Sequence, residues 1–305
     1  MRAALLRSGA LTVLIGAVLM ATALPAFAWK FPPRQRPAPP SMRTLIYPTT
    51  DGKREAMSLF TPARPDGPLP LILEVHGGGW EEGVRLKTLH SSLVASDLVH
   101  AGFMVASINY RLAPAWPWPD QIIDVASAVR YLRAHADALG IDPHRIGALG
   151  DSAGGQLVSL LGTEPATNGW SKGPNAAESS HVEAVVDEYG PTDLATDNWP
   201  ALTAAMIRNT FGAEPTKGDA ALEAASPISY VAPGDPPFLI VQGTADDIVP
   251  PSQSEDFAAR LRHDGDSVSL LLVERGQHGL HTPGEVPGPS AIAQRITRFM
   301  VAKLH

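Results

Sequence analysis

The feature that most constrains the fold is an alternation between apolar runs of strand length and segments with helical periodicity. The apolar runs span residues 69–75, 103–108, 145–149, 182–186, 237–241 and 268–273. Apolar residues recur every three or four positions over 122–132 and 254–261, as in amphipathic helices. Runs that are apolar throughout are typical of strands buried on both faces of a parallel sheet. This succession predicts an α/β fold, a mostly parallel twisted sheet of about eight strands with helices on both faces.

Two segments outside this pattern complete the expected sheet and its domain. Residues 44–47 and 55–60 alternate like strands and predict an antiparallel hairpin at the start of the domain. We expect one folded domain over residues 42–305, without a large lid. The stretch 163–180 is polar, rich in glycine and long for a connection, which allows a mobile flap.

The first 28 residues have the pattern of a secretory signal peptide. Arg2 and Arg7 precede an uncharged run that ends in Ala26-Phe27-Ala28, a small-x-small site of the kind that signal peptidase cleaves. The alternative is a retained membrane anchor, since the run is just long enough to span a bilayer. Residues 29–41 are rich in proline and predict an extended linker.

The composition limits the cellular compartments and the classes of partner that this chain is expected to have. The chain has no cysteine, so no disulfide can form and no lipid can be attached at a cysteine. It carries 31 acidic and 24 basic side chains, a net charge of −7, and no dense Lys/Arg run. This balance argues against nucleic acid and anionic membrane surfaces as partners. We therefore expect a periplasmic or extracellular protein without stable membrane insertion after cleavage, whose oligomeric state the sequence leaves open.

The motif GDSAGG places a serine where a nucleophile would stand. It follows the apolar run 145–149 and precedes a helical pattern over 153–161, so Ser152 falls on a strand-to-helix turn. Gly150 and Gly154 flank it at two residues' distance, where the strand and helix backbones would come too close for a Cβ. A lone G-x-S-x-G motif is weak evidence for a nucleophile. Its position between a strand and a helix strengthens this interpretation.

A second motif, HGGGW, follows the run 69–75 and offers hydrogen-bond donors. Three consecutive glycines leave backbone N–H groups open to a substrate, as the stabilisation of a tetrahedral oxyanion requires. We predict an oxyanion hole made by the N–H groups of Gly77, Gly78 and Ala153. The alternative is a flexible structural loop.

A catalytic serine needs a histidine base and an acid that orients it. Two later loops, each after a predicted strand, supply them: GTADDIVP offers Asp246 or Asp247, and GQHGLH offers His278 or His281. The histidines and carboxylates lack spacings such as H-E-x-x-H that bind a metal, so we expect neither a metal nor another cofactor.

These motifs, with NYRLAP (109–114) and YGPTDL (189–194), resemble in kind and order those of the hormone-sensitive-lipase-like and feruloyl-esterase-like (BD-FAE) bacterial α/β-hydrolase esterases. The likeness covers roughly residues 42–304. It implies a catalytic triad of Ser152, Asp246 and His278, because Asp246 aligns with the acid of a pattern similar to HGxxDxxVP. The chain departs from the family at Gln242, where a histidine is usual, and at Gln277, where alanine or glycine is frequent.

The resemblance implies a serine carboxylesterase that hydrolyses short-chain or carbohydrate-linked (acetyl or feruloyl) esters through an acyl-enzyme. Trp80 and Gln277 are our candidate substrate contacts, and hydrophobic packing is the alternative for the tryptophans. Five tryptophans fall in predicted loops: Trp80, Trp116, Trp118, Trp170 and Trp199. The competing functions are an amidase or peptidase of the same fold, formamidase-like or prolyl-peptidase-like, and a catalytically inactive binding protein.

Overall fold

One sheet forms the centre of the part of the chain that the structure describes. The structure, a computed structural model, describes residues 41–63, 67–85, 89–163, 169–170 and 172–305. Within these residues eight strands join in a single sheet, as the sequence predicted. The strands are β1 (Ser41–Pro48), β2 (Arg54–Thr61), β3 (Leu69–Val75), β4 (Met104–Ile108), β5 (Ile141–Asp151), β6 (Ala184–Glu188), β7 (Phe238–Gly243) and β8 (Val268–Val273).

The order of the strands is β1-β2-β4-β3-β5-β6-β7-β8. The predicted opening hairpin is present: β1 pairs with β2, and β2 with β4, in antiparallel register. The strands from β3 to β8 pair in parallel. The mostly parallel sheet that the apolar runs predicted is thus confirmed.

The strand order reverses beside β3, and this places the two glycine-rich motifs side by side. The chain crosses from β3 to β4 on one side and then returns to β5 on the other, so β3 lies between them. The parallel pair β3 and β5 runs in register from Leu71 opposite Ile146 to Val75 opposite Gly150. Ligands of α/β sheets bind in the crevice at the carboxyl ends of strands beside such a reversal. HGGGW and GDSAGG leave the sheet at this crevice.

Helices cover both faces of the sheet. They are α1 (Leu89–His100), α2 (Asp120–Ala134), α3 (Ala136–Leu139), α4 (Ala153–Thr163), α5 (Ala201–Phe211), α6 (Ala220–Glu223), α7 (Pro251–Asp264) and α8 (Pro289–Leu304). The apolar sides of α2, α4 and α7 pack into one buried cluster, and those of α1 and α8 pack into a second. Successive side chains of a strand point to opposite faces of the sheet and so enter different clusters. On β3, Leu71 and Leu73 belong to the first cluster and Ile72 to the second.

The observed elements differ from the expectation in strand boundaries and in several helices. Strand β5 begins at Ile141, four residues earlier than predicted, because Ile141 is buried opposite Leu69 on β3 despite the polar residues that follow it. Helices α1, α5 and α8 were not predicted. Part of the stretch predicted as a flap, residues 164–168 and 171, lies outside the described residues, and the flap stays a prediction.

The predicted signal peptide (1–28) and all but the last residue of the predicted linker (29–41) lie outside the described residues. Ser41, the last residue of that linker, begins β1. Among the residues that the structure describes, no helix combines the length and the apolar composition needed to cross a bilayer.

Candidate active site

Ser152 lies on a strained turn between β5 and α4. Its φ of 53° is in the left-handed region, which is costly for a residue with a side chain. A Cβ on Gly150 would lie 2.3 Å from the carbonyl oxygen of Gly154, and one on Gly154 would lie 2.1 Å from that of Val75. Such approaches are impossible, so both flanking positions require glycine. The turn holds the Ser152 side chain at the carboxyl edge of the sheet.

The structure brings Ser152, His278 and Asp246 into one hydrogen-bonded chain. The Oγ of Ser152 lies 2.9 Å from Nε2 of His278, and Nδ1 of His278 lies 2.9 Å from Oδ2 of Asp246. A carboxylate only accepts hydrogen bonds, so Nδ1 carries the proton and Nε2 is free to accept the hydroxyl proton of Ser152. A hydroxyl, a basic nitrogen and an orienting acid are therefore aligned for nucleophilic attack.

The two alternative residues do not enter this chain. Asp247 is exposed, whereas the Asp246 side chain is fully buried. His281 is exposed at the rim of the site, and its Nδ1 lies 2.9 Å from the carbonyl oxygen of Gly279. Of the four possible pairs of acid and histidine, the structure thus joins Asp246 with His278.

The loop after β3 supplies amide donors, but not all those predicted. The N–H of Gly77 donates to Oδ1 of Asp151 at 3.0 Å, which corrects the expectation that it serves the oxyanion. Within the described residues, the N–H groups of Gly78 and Ala153 have no hydrogen-bond partner. A Cβ on Gly78, whose φ is 120°, would lie 2.0 Å from the carbonyl oxygen of Glu82. Gly78 and Ala153 remain as the two candidate donors.

Contacts of His76 and Tyr110, which lie just after β3 and β4, hold the loop that carries the glycine amides in place. Nδ1 of His76 lies 2.7 Å from the carbonyl oxygen of Gly77 and can donate to it. The ring of Tyr110 stacks on His76 with centroids 4.4 Å apart, and its hydroxyl donates to the His76 carbonyl oxygen at 2.9 Å. Burial raises the pKa of Tyr110, so this hydroxyl keeps its proton and remains a donor.

A cavity of about 550 Å³ opens over Ser152 and His278. Its walls are largely apolar, and four aliphatic side chains contribute to them: Leu93 of α1, Leu202 and Met206 of α5, and Ile248 of the acid loop. Sequence reasoning missed Leu93, Leu202 and Met206 because it predicted neither α1 nor α5. The available signal was Pro200 ahead of the i, i+4 pair Leu202 and Met206.

The predicted substrate contacts lie outside the cavity lining. Trp80 is 2% exposed, and its indole N–H donates to Oε1 of Gln156 at 2.9 Å. This corrects the expectation for Trp80, whose side chain belongs to the core beneath the loop. Gln277 is exposed, and its backbone N–H donates to the hydroxyl of Thr282 at 3.1 Å. The other four tryptophans are absent from the lining as well.

A buried carboxyl lies under the helix that follows Ser152. Asp187 on β6 is fully buried and accepts hydrogen bonds from the N–H of Gly190 at 2.9 Å and the hydroxyl of Ser159 at 3.0 Å. Burial is the largest cause that raises the pKa of Asp187, to about 7, and the negative charge of Glu188 raises it further.

NYRLAP contributes Arg111 to an ion-pair network with α2 and the residues that follow β1. The Arg111 guanidinium lies 2.7 Å from Asp124 and 3.0 Å from Asp120. Burial raises the pKa of Asp124, although its bonds to Arg111 act in the opposite direction. In the described part of the chain, no group of three or more His, Cys, Asp or Glu side chains could hold a metal ion.

Four features together define an α/β-hydrolase: the sheet, the serine on a strained turn after β5, the acid after β7 and the histidine after β8. The chain belongs to the BD-FAE family, whose model matches residues 57–261. Among curated proteins it is similar to esterase LipC of Mycobacterium tuberculosis, with 34% identity over 239 residues that cover 75% of this chain and 58% of LipC. The chain spans about half the length of the curated relatives it matches.

Two solved structures are similar over most of the chain. A truncated carbohydrate esterase from gut microbiota is 27% identical with a TM-score of 0.71, and the match covers 86% of this chain and 96% of that one. Esterase 2 of Thermogutta terrifontis with bound butyrate is 25% identical with a TM-score of 0.70, covering 86% and 94%.

Proposed function

We propose that this protein is a serine carboxylesterase, with Ser152 as nucleophile, His278 as general base and acid, and Asp246 as the residue that orients His278. The observation that carries the proposal is the unbroken chain of hydrogen bonds from Asp246 through His278 to Ser152. The names of the similar proteins, esterases acting on carbohydrate or other esters, support ester hydrolysis in particular.

In the acylation half-reaction, Nε2 of His278 takes the hydroxyl proton as Oγ of Ser152 attacks the ester carbonyl carbon. The carbonyl oxygen becomes an oxyanion, for which the N–H groups of Gly78 and Ala153 are the donors. His278 then gives its proton to the leaving alcohol. The Asp246 carboxylate stabilises the imidazolium that exists between these two transfers.

The acyl group is then bound to Oγ of Ser152 as an ester. A water molecule attacks this ester while His278 again accepts a proton, and the same two amides stabilise the second oxyanion. Collapse of the intermediate returns the proton to Ser152 and releases the carboxylic acid. The substrates that we propose are short-chain or carbohydrate-linked esters, including acetyl and feruloyl esters. The aliphatic walls of the cavity and the butyrate bound to a similar esterase support short acyl chains.

The test compares the protein with its Ser152→Ala variant on 4-nitrophenyl acetate, butyrate and octanoate, methyl ferulate, acetylated xylan and an aminoacyl anilide. We expect ester turnover that falls by at least roughly a thousandfold in the variant. Faster cleavage of the anilide than of every ester would favour the amidase alternative. Equal ester turnover by the two proteins would refute the assignment of Ser152.

We also propose export, with cleavage after Ala28. The two arginines, the uncharged run and the small-x-small site support it. Expression of the full chain in a bacterial host, followed by fractionation and N-terminal sequencing, tests this. The expected product is periplasmic or extracellular and starts at Trp29; an uncleaved chain in the membrane fraction would favour the retained anchor.

A further inference from the structure

Gln242, the last residue but one of β7, is buried beside the acid of the triad. Its side chain is fully enclosed, and the amide nitrogen Nε2 lies 3.1 Å from Oδ2 of Asp246. At this position the family resemblance led us to expect a histidine, and the chain has a primary amide. The contacts of that amide define what it does.

The surroundings of the amide fix its orientation. Nε2 lies near three oxygens that can only accept hydrogen bonds: Oδ2 of Asp246, the carbonyl oxygen of Gly243 at 3.2 Å and that of Val249 at 3.3 Å. On the opposite side, Oε1 accepts the hydroxyl proton of Ser254 on α7 at 2.8 Å. If the amide were flipped, an oxygen would face three oxygens, so the NH2 group must point at Asp246.

Asp246 depends on this donor because its carboxylate is cut off from solvent. Oδ1 accepts the backbone N–H groups of Ile248 at 3.0 Å and Val249 at 2.9 Å. Oδ2 accepts hydrogen bonds from Nε2 of Gln242 and from Nδ1 of His278. Gln242 therefore holds the oxygen that makes the shorter contact with His278, while the backbone of the loop holds the other oxygen.

We propose that Gln242 is a positioning residue, which keeps the Asp246 carboxylate in the rotation that orients His278; this inference rests on the proposed function. Nδ1 of His278 also lies 3.2 Å from Oδ1, so without the amide the imidazole would be the one remaining hydrogen-bond donor to Oδ2 among those described, and the carboxylate could turn to offer Oδ1 to His278 in its place. The imidazolium that forms in the transition state would then lose its best-placed counter-charge. An amide supplies the same neutral donor at every pH, which a histidine at this position does not.

The test uses three variants that differ in their contact with the triad. Gln242→Met keeps the length of the side chain and removes the N–H donor. Ser254→Ala keeps Gln242 but releases its carbonyl oxygen, and tests the same link should Gln242→Met fold poorly. Gln253→Met is the matched control, because Gln253 is a buried glutamine of α7 whose amide oxygen accepts two backbone N–H groups and does not touch Asp246.

Two measurements distinguish a positioning role of Gln242 from a general loss of stability. For 4-nitrophenyl butyrate, we expect kcat of Gln242→Met to fall on the order of tenfold with KM unchanged, since the lost interaction acts in the transition state. Ser254→Ala should show a smaller fall of the same kind. The deshielded proton on Nδ1 of His278, observed by proton NMR, should shift or broaden in both variants and stay unchanged in Gln253→Met.

Unchanged kcat and an unchanged Nδ1 proton in Gln242→Met, or in Ser254→Ala if the first variant does not fold, would overturn the inference. An equal fall of kcat in Gln253→Met would do so too, because the effect would then be general. Ser152→Ala separates the two proposals. If it is inactive while Gln242→Met is normal, the positioning role alone is wrong; if it is active, the proposed function is wrong.

Discussion

Replacement of Asp187 by asparagine should change how the stability of this protein depends on pH. The folded protein raises the pKa of Asp187 from an ordinary value near 3.8 to about 7, first because the carboxyl is buried and then because Glu188 is charged. The folded state therefore binds the proton more tightly than the unfolded chain does. The stabilisation is complete below the unfolded pKa, is lost as pH rises from about 4 to about 7, and changes little above that range.

A shift of three pKa units corresponds to about 4 kcal/mol in the free energy of unfolding. Asparagine does not titrate and can keep both bonds, accepting from Gly190 and donating to the hydroxyl of Ser159. At pH 4 the variant should match the parent to within about 1 kcal/mol. At pH 8 it should be more stable by about 4 kcal/mol, since it lacks the buried charge.

The assay is urea unfolding of both proteins at one-unit steps from pH 4 to pH 8, followed by tryptophan fluorescence. Only the difference between the two free energies is interpreted, because the other titrating groups are common to both proteins and cancel. A difference that stays constant across this range would refute the reasoning. It would mean that Asp187 ionises as easily in the folded protein as in the unfolded one.

Three further outcomes are expected. Gly154→Ala should lose about 3 kcal/mol or more in urea unfolding, because its Cβ would meet the Val75 carbonyl oxygen at 2.1 Å, whereas Gly288→Ala, with open space around it, should be nearly neutral. Met206→Ala should raise kcat/KM for 4-nitrophenyl octanoate relative to butyrate roughly threefold or more, since it removes part of the cavity wall; an unchanged ratio would place the acyl chain elsewhere. Asp246→Asn should lower kcat on the order of a thousandfold at constant fold, and a change below tenfold would contradict its orienting role.

The sheet could be predicted because its signals are local in the sequence. Each parallel strand is a short apolar run bounded by turn residues, and β1 and β2 alternate within a few residues of each other. The start of β5 could not be predicted, because Ile141 joins the sheet through its pairing with Leu69 on β3, which is distant in the chain. Helix α5 was missed although its signal is local: Leu202 and Met206 recur at i, i+4 on the side that lines the cavity, and only three residues of the helix are buried.

The candidate site was predictable where a residue's role follows from motif position. Ser152, Asp246 and His278 each follow a strand, so the order of the motifs nominated the three loops, and the family resemblance then selected Asp246 and His278 within them. The role of Gly77 could not be read this way, because all three glycines of the loop look alike in sequence. Which amide stays open depends on Asp151, 74 residues away, whose carboxylate occupies the first one.

Trp80 shows how backbone conformation decides a side chain's surroundings. Its neighbours in sequence suggest a loop residue beside the substrate, yet its φ is 61°, in the left-handed region that few residues with a large side chain adopt. In this conformation the indole is buried against Phe211, with ring centroids 5.0 Å apart, and hydrogen-bonds to Gln156 of α4. The tryptophan thereby ties the amide-bearing loop to the helix that begins beside Ser152. A residue nominated for substrate contact thus links the two segments that carry the oxyanion donors, which must keep a fixed distance for both to reach one oxygen.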